Sequence, residues 1–342
     1  MTVFRHPVPA ASPDGGEGAS NRAAPSGSLN HQALLELATV LQDSGYHFVT
    51  ITPKSHAMVN DRPENRWARR VEDVFGWSRP FKPDILPSGL FDLMKKAGIV
   101  VPYEDGWRSL IRLSSLDRKL FVHSAFPTTS RDAVFFGPDT YKFVDAIKLH
   151  LGQRGTTVRR AVDICAGAGP GGLAIASRAP DADTVLVDIN DTALSFARIN
   201  ASLAGLGKVT PINSDMLSAV DGTFDLVVAH PPYLIDRDSR AYRHGGGPLG
   251  AELSLEVIRA SLDRLTPNGV LLLFTGVAIV DCEDLFRSEI TSMLSGTEFQ
   301  WSYREVDPDV FGEELANPPY DKVDRIALIV LEVSRRRHDD QA

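Results

Sequence analysis

Cysteine is scarce: the 342 residues hold two, Cys165 and Cys282. Two thiols make no disulfide framework and cannot build a metal site alone. No metal is therefore expected, and a reducing cytoplasm is the expected setting. Long apolar runs are missing too. The longest, Gly269 to Val280, falls short of the roughly 20 residues a bilayer-spanning helix needs. The N-terminus lacks the apolar core of a signal peptide, so no membrane partner is expected. Nor is there an excess of positive charge. Lys and Arg number 36 against 44 Asp and Glu, leaving a net charge of -8. A protein that grips nucleic acid through phosphates usually shows a basic surface, which makes nucleic acid the weakest partner class. A local patch is open to Arg66, Arg69 and Arg70. The run Arg335–Arg336–Arg337 reads as a solvated tail, as charge runs usually do.

What is present is ordinary globular material, 43% hydrophobic and 23% charged, enough for a real core. Residues 1–28 are rich in Pro, Ala, Ser and Gly and cannot bury enough surface to offset their ordering entropy, so disorder is expected there. From Asn30, an N-cap candidate, Leu34, Leu37, Ala38 and Leu41 mark one helical face that Gly45 ends. A second helix is expected near Leu90–Lys96. Ser109–Leu113 and Leu120–His123 read as a hairpin around Leu116–Asp117–Arg118. Residues 29–134 form the expected smaller, mixed N-terminal accessory domain. Its functional role would be to shape a substrate pocket.

After Ala133 the rhythm becomes strand, helix, strand, helix. Ala161–Ile164, Thr184–Val187, Val209–Ile212, Phe224–Ala229, Val270–Phe274 and Arg325–Val333 read as strands. Leu173–Ala176, Asp191–Leu203 and the face Leu255, Ile258, Leu262, Leu265 read as helices, the last stopped at Pro267–Asn268–Gly269. Alternation on this scale implies an α/β, mostly parallel, doubly wound sheet over residues 135–334, with residues 335–342 as a tail.

The chemistry concentrates after the first of these strands, in Val162-Asp163-Ile164-Cys165-Ala166-Gly167-Ala168-Gly169-Pro170-Gly171-Gly172. A strand, glycine turn and helix let backbone approach a nucleotide closely. The glycines also fit G-x-G-x-x-G at Gly167, Gly169 and Gly172, and Asp188 ends the next strand. On these features alone a nicotinamide-dependent oxidoreductase is a fair competitor. Three features weigh against it: Asp163 four positions before the first glycine, Asp215-Met216 after the third strand, and His230-Pro231-Pro232-Tyr233 after the fourth.

With these motifs in order, residues 135–333 resemble the class I S-adenosylmethionine-dependent methyltransferases. Among those they are most similar to the release-factor glutamine and small-domain methyltransferases. The resemblance implies a Rossmann-like, seven-stranded sheet and S-adenosyl-L-methionine as cofactor. Asp163 would support the loop and the methionine amino group, with Gly167, Gly169 and Gly171 leaving room. Asp188 would take the ribose, Asp215 the adenine amine and Met216 the ring, with Ile189 also at the cofactor. Phe136-Gly137-Pro138-Asp139-Thr140-Tyr141 looks like the family's lead-in helix, and 245–253 like its stretch after the Pro-Pro-Tyr turn.

Where the family has Asn-Pro-Pro-Tyr, this chain has His230. The resemblance implies catalysis by His230, Pro231 and Tyr233, with His230 also beside the cofactor. Pro232, Tyr233, Arg243 and His244 would meet the substrate, with Tyr233 stacked on a planar target. Neutral imidazole offers one acceptor and its pKa lies near neutrality, so a general base is equally open. Asn317-Pro318-Pro319-Tyr320 spells the family motif in full but follows no parallel strand, and reads as a proline-rich connection. The expected reaction is methyl transfer to a planar nitrogen, a protein glutamine amide first. Small-molecule N- or O-methylation stands second and RNA base methylation third. A nicotinamide oxidoreductase and a catalytically silent cofactor-binding partner are the rivals from other classes.

Overall fold

The computed structural model describes residues 29–153, 157–238, 240 and 242–335. The tail expected over 1–28, and Arg336 and Arg337, lie outside the described residues. In chain order the elements are α1 His31–Asp43, α2 Pro53–Asn60, α3 Val71–Phe75, α4 Leu90–Ala97, β1 Val100–Tyr103, β2 Gly106–Ser109, β3 Ile111–Leu116 and β4 Lys119–Ser124. Then follow α5 Pro138–Leu151, β5 Arg160–Ile164, α6 Pro170–Arg178, β6 Asp183–Asp188, α7 Asp191–Leu203, β7 Val209–Asn213, β8 Phe224–Ala229 and α8 Glu252–Leu262. The last are β9 Leu265–Val280, β10 Glu283–Asp284, α9 Leu285–Leu294, β11 Phe299–Asp307 and β12 Arg325–Arg335.

The main sheet runs β11-β12-β9-β8-β5-β6-β7, with the two-residue β10 paired to β9. β7, β6, β5, β8 and β9 are mutually parallel, and β12 runs antiparallel to both its neighbours. Alternate residues face opposite layers, as the pleat requires. Ala161, Leu186, Leu226, Val228, Leu272 and Phe274 pack with α5, α6 and α7. Val162, Val185, Val187, Val227, Leu271 and Leu273 pack with α8 and α9. The sheet is thus doubly wound, and it switches direction between β5 and β8, where open α/β sheets bind ligands.

Several expectations needed revision. Pro267–Asn268–Gly269 does not stop α8, which ends at Leu262. Those residues lie inside β9 at a shift of register opposite Phe224 and Leu226. Proline, lacking an N–H, is tolerated at such an irregularity, and a Cβ on Gly269 would come within 2.6 Å of the Phe224 carbonyl. Val270–Phe274 is the middle of a strand that continues to Val280. Ser109 closes β2 instead of opening β3. The hairpin turn is the pair Asp117–Arg118, both at positive φ, which matches the twist of the flanking strands. Arg335 ends β12 and pairs with Glu298. In the expected basic patch Arg66 pairs with Glu104 and Arg70 with Glu72, and Arg69 donates to Asn65.

The N-terminal part builds its own cluster from α1, α4, β3 and β4, but Ala193, Phe196 and Ile199 of α7 belong to it as well. Asn30 caps α1 by accepting from the Ala33 N–H. Asn200, buried in α7, accepts from the Val122 N–H of β4 and donates to the carbonyls of Val122 and Ala168. The chain on the two sides of residue 134 therefore shares one packed interior. Among the described residues no helix is long and apolar enough to cross a membrane.

Candidate active site

β5 and β8 lie side by side with Ile164 paired to Ala229. The glycine turn after Ile164 and the tetrapeptide after Ala229 therefore leave the sheet from adjacent positions. Between them opens a cleft enclosing about 1220 Å³, its mouth included.

One wall is acidic. Asp188, at the end of β6, accepts hydrogen bonds from the Gly167 and Asn190 N–H groups at 2.8 and 2.9 Å. Burial pushes its carboxyl up from the ordinary value. Ile189, Asp215 and Met216 also line the cleft, and Met216 holds a positive φ that turns the chain there. Asp163 lies beneath this wall, not in it. It is 1% exposed, and its Oδ2 accepts from the Gly172 N–H at 2.7 Å. Its Oδ1 has no hydrogen-bond partner. Burial raises its pKa to about 7, because a charged carboxylate removed from water loses its solvation.

The glycines divide the same way. Gly167 lines the cleft, whereas Gly169 and Gly171 do not. Gly169 caps α6 in the left-handed region. A Cβ on Gly171 would strike the Phe143 ring and the Asp163 carboxylate.

The opposite wall carries His230, Pro231, Pro232 and Tyr233. Burial lowers the pKa of His230, and the nearby Asp139 opposes that shift, so the imidazole is neutral at pH 7. Tyr233 is not the free stacking platform the resemblance implied. Its ring is 6% exposed and stacks on His230 at 5.8 Å and 11°. Its far side meets Gly276, where a Cβ would sit 2.1 Å from the ring. Its hydroxyl donates to Asp139 Oδ2 at 2.9 Å.

Asp139 is the residue the sequence reading left without a role. It stands in the first turn of α5, between Pro138 and Thr140, and faces the cleft. Only the fold reveals that its carboxylate reaches the tetrapeptide, 91 residues further along.

Arg243 lines the cleft mouth but is paired with Glu314 and Asp236. His244 does not reach the cleft; its Nδ1 accepts from the Asp236 N–H. Phe135, Tyr242, Leu253 and Phe311 also line the cleft. Phe311 belongs to the segment before Asn317-Pro318-Pro319-Tyr320. In that segment Tyr320 is buried and its hydroxyl accepts from the Ile235 N–H at 2.8 Å. The second Pro-Pro-Tyr thus braces the loop that follows the first. Asn317 is exposed.

The donor set distinguishes two cofactor classes. A dinucleotide fold offers its pyrophosphate the free N–H groups of a helix N-terminus. Here α6 begins with Pro170, which has no N–H, and the Gly172 N–H is already taken by Asp163. Among the described lining residues the only Lys or Arg is Arg243, at the mouth. An acidic wall of this kind suits a neutral nucleoside bearing a cation, and repels phosphates.

Residues 145–288 match the family model of the methyltransferase small domain. The ribosomal protein uL3 glutamine methyltransferase of Neisseria meningitidis serogroup A is 33% identical over 131 residues, covering 35% of this chain and 43% of that protein. The release factor glutamine methyltransferase of Deinococcus radiodurans is 32% identical over 124 residues, covering 33% and 44%. The matched region is thus under half the length of these relatives. Among solved structures, the ribosomal protein L11 methylase of Lactobacillus delbrueckii subsp. bulgaricus superposes with a TM-score of 0.41 at 19% identity, covering 58% of this chain and 80% of that one. The stretch that matches the methyltransferase small-domain model, 145–288, carries the strand ends that build the acidic wall and the histidine turn.

Proposed function

We propose that the protein transfers a methyl group from S-adenosyl-L-methionine to a planar nitrogen, with a protein glutamine amide as the acceptor. The observation that carries this reading is the pairing of Ile164 with Ala229, which sets the glycine turn and the histidine turn against one cleft. The named activities of the uL3 and release-factor relatives support the glutamine amide.

When bound, the cofactor supplies a sulfonium-activated methyl group. Asp188 would accept hydroxyl hydrogen bonds from the ribose, charge-assisted and so stronger than neutral ones. Asp215 would accept from the adenine amine, with Met216 against the ring. Asp163 holds the α6 turn through Gly172. On the other wall the neutral His230 imidazole and the Pro231 carbonyl accept the N–H groups of the incoming amide and aim its nitrogen. Alignment of this kind lowers a barrier by roughly 7–11 kcal/mol in favourable cases. Phe135, Leu253 and Phe311 keep water from the mouth.

Calorimetry tests the cofactor: S-adenosylhomocysteine binds and NAD(H) does not. The reverse pattern would return the site to nicotinamide chemistry. Methyl-labelled cofactor incubated with the protein and fractionated lysate tests the acceptor. Label in the protein fraction is expected, and label only among small molecules or RNA would reject the glutamine reading.

A further inference from the structure

We infer that Asp139 is a positioning residue that fixes His230 as a proton acceptor, a role the family's Asn cannot perform. The inference rests on the methyl-transfer reading and concerns the proton that this reaction releases.

Asp139 is 6% exposed. Its Oδ1 accepts from the Thr140 N–H at 3.0 Å, and its Oδ2 accepts from the Tyr233 hydroxyl at 2.9 Å. The same Oδ2 lies 3.6 Å from His230 Nε2. That is beyond hydrogen-bond range by about 0.5 Å, a gap typical of a catalytic pair before substrate closes it. The helix N-terminus beneath Asp139 favours its negative charge. The other faces of the His230 ring are aromatic. Phe143 of α5 and Phe274 of β9 stand at 5.3 and 5.0 Å, and Tyr233 stacks at 5.8 Å. Among the described residues, Asp139 is the one charged group acting on this imidazole.

A carboxylate facing Nε2 selects the tautomer protonated there and leaves Nδ1 with its lone pair. As the carbon–sulfur bond breaks, sulfur keeps the electron pair and the new nitrogen–carbon bond forms. The nitrogen then carries one proton too many. That proton moves to His230 Nδ1, Asp139 stabilises the imidazolium while staying ionised, and the proton later leaves to water. Tyr233 donates to Asp139 and stacks on His230, so it ties the two together.

Histidine nitrogen NMR on the full chain without cofactor tests this, with His230→Gln identifying the resonance. In the wild type His230 titrates below its ordinary value and shows the Nε2-protonated tautomer. In Asp139→Asn its midpoint falls by about one further pH unit and the tautomers mix; Asp139→Glu restores part of both. The acid limb of the single-turnover rate moves to lower pH by the same amount. Should Asp139→Asn fail to fold, Tyr233→Phe decides. Loss of the hydroxyl donor leaves more of the Asp139 charge for His230, and the midpoint rises. A His230 midpoint and tautomer unchanged in the variants that fold would overturn the inference. Failure of the wild type to bind S-adenosylhomocysteine would instead overturn the methyl-transfer reading and leave the NMR result intact.

Discussion

Asp188 and Asp163 are both carboxylates beside the same glycine turn, yet their environments assign them different work. Asp188 reaches the cleft and already accepts two backbone hydrogen bonds. In Asp188→Ala the ribose loses a charged acceptor, worth about 1.5–3 kcal/mol, and the turn loses its tether. Affinity for S-adenosylhomocysteine is expected to fall by about tenfold or more, read by calorimetry; unchanged affinity would remove Asp188 from the cofactor site. Asp163 is enclosed, with its pKa raised to about 7. A carboxyl whose folded pKa exceeds its unfolded value binds more protons when native. It therefore costs stability as pH climbs from about 4 through 7. Asp163→Asn can still accept from the Gly172 N–H and has no charge to bury. Without cofactor, its stability relative to wild type is expected to grow between pH 5 and pH 8 by about 2–3 kcal/mol, measured by denaturant unfolding at both values. A pH-independent difference would count against the raised carboxyl.

Among the elements, the loop leaving β8 depends on two neighbours that sequence spacing cannot connect. Gly276 of β9 provides the space for the Tyr233 ring, and Tyr320 accepts from the Ile235 N–H beyond it. The two Pro-Pro-Tyr segments look interchangeable on paper. In the fold only the first follows a parallel strand, while the second supports it from behind. Tyr320→Phe removes that acceptor and is expected to cost about 1–3 kcal/mol and to slow methyl transfer. Asn317→Ala, at an exposed position, is expected to leave the rate unchanged. Thermal unfolding and initial rates of the pair provide the check. A slow Asn317→Ala would mean that the second motif, not the first, meets the acceptor.

At the scale of the molecule, the N-terminal region is fastened to the main sheet through α7. Phe196 is 4% exposed and packs in the N-terminal cluster with Ala193 and Ile199. Phe196→Ala is expected to cost about 3–5 kcal/mol, as large-to-small changes in a packed interior do, and to lower one unfolding transition, not two. Two separate transitions by calorimetry would show instead that the regions unfold independently. Acid adds a second global effect. Burial lowers the pKa of His56 to about 4 and depresses that of His123 too. Their unfolded forms bind protons first, so the stability they allow at neutral pH is lost as pH falls below about 6.5.

The alternation of apolar strands and capped helices was legible in the chain. β8 and α7 coincide with their expected limits because their boundaries are local, set by Asn190 at the N-cap and by the His230 tetrapeptide after an apolar run. The glycine turn and its acids were legible for the same reason, since strand-end positions place side chains by backbone geometry. What lies across the chain was not. Asp139 meets Tyr233 over 94 residues, Tyr320 meets Ile235 over 85, and the bulge in β9 answers a carbonyl on β8. Such pairings follow from how the layers stack, and stacking depends on the sum of many weak contacts, not on any one motif. The sequence by itself determined a doubly wound sheet with an acid-led glycine turn; the tertiary structure alone decided which carboxylate faces the histidine.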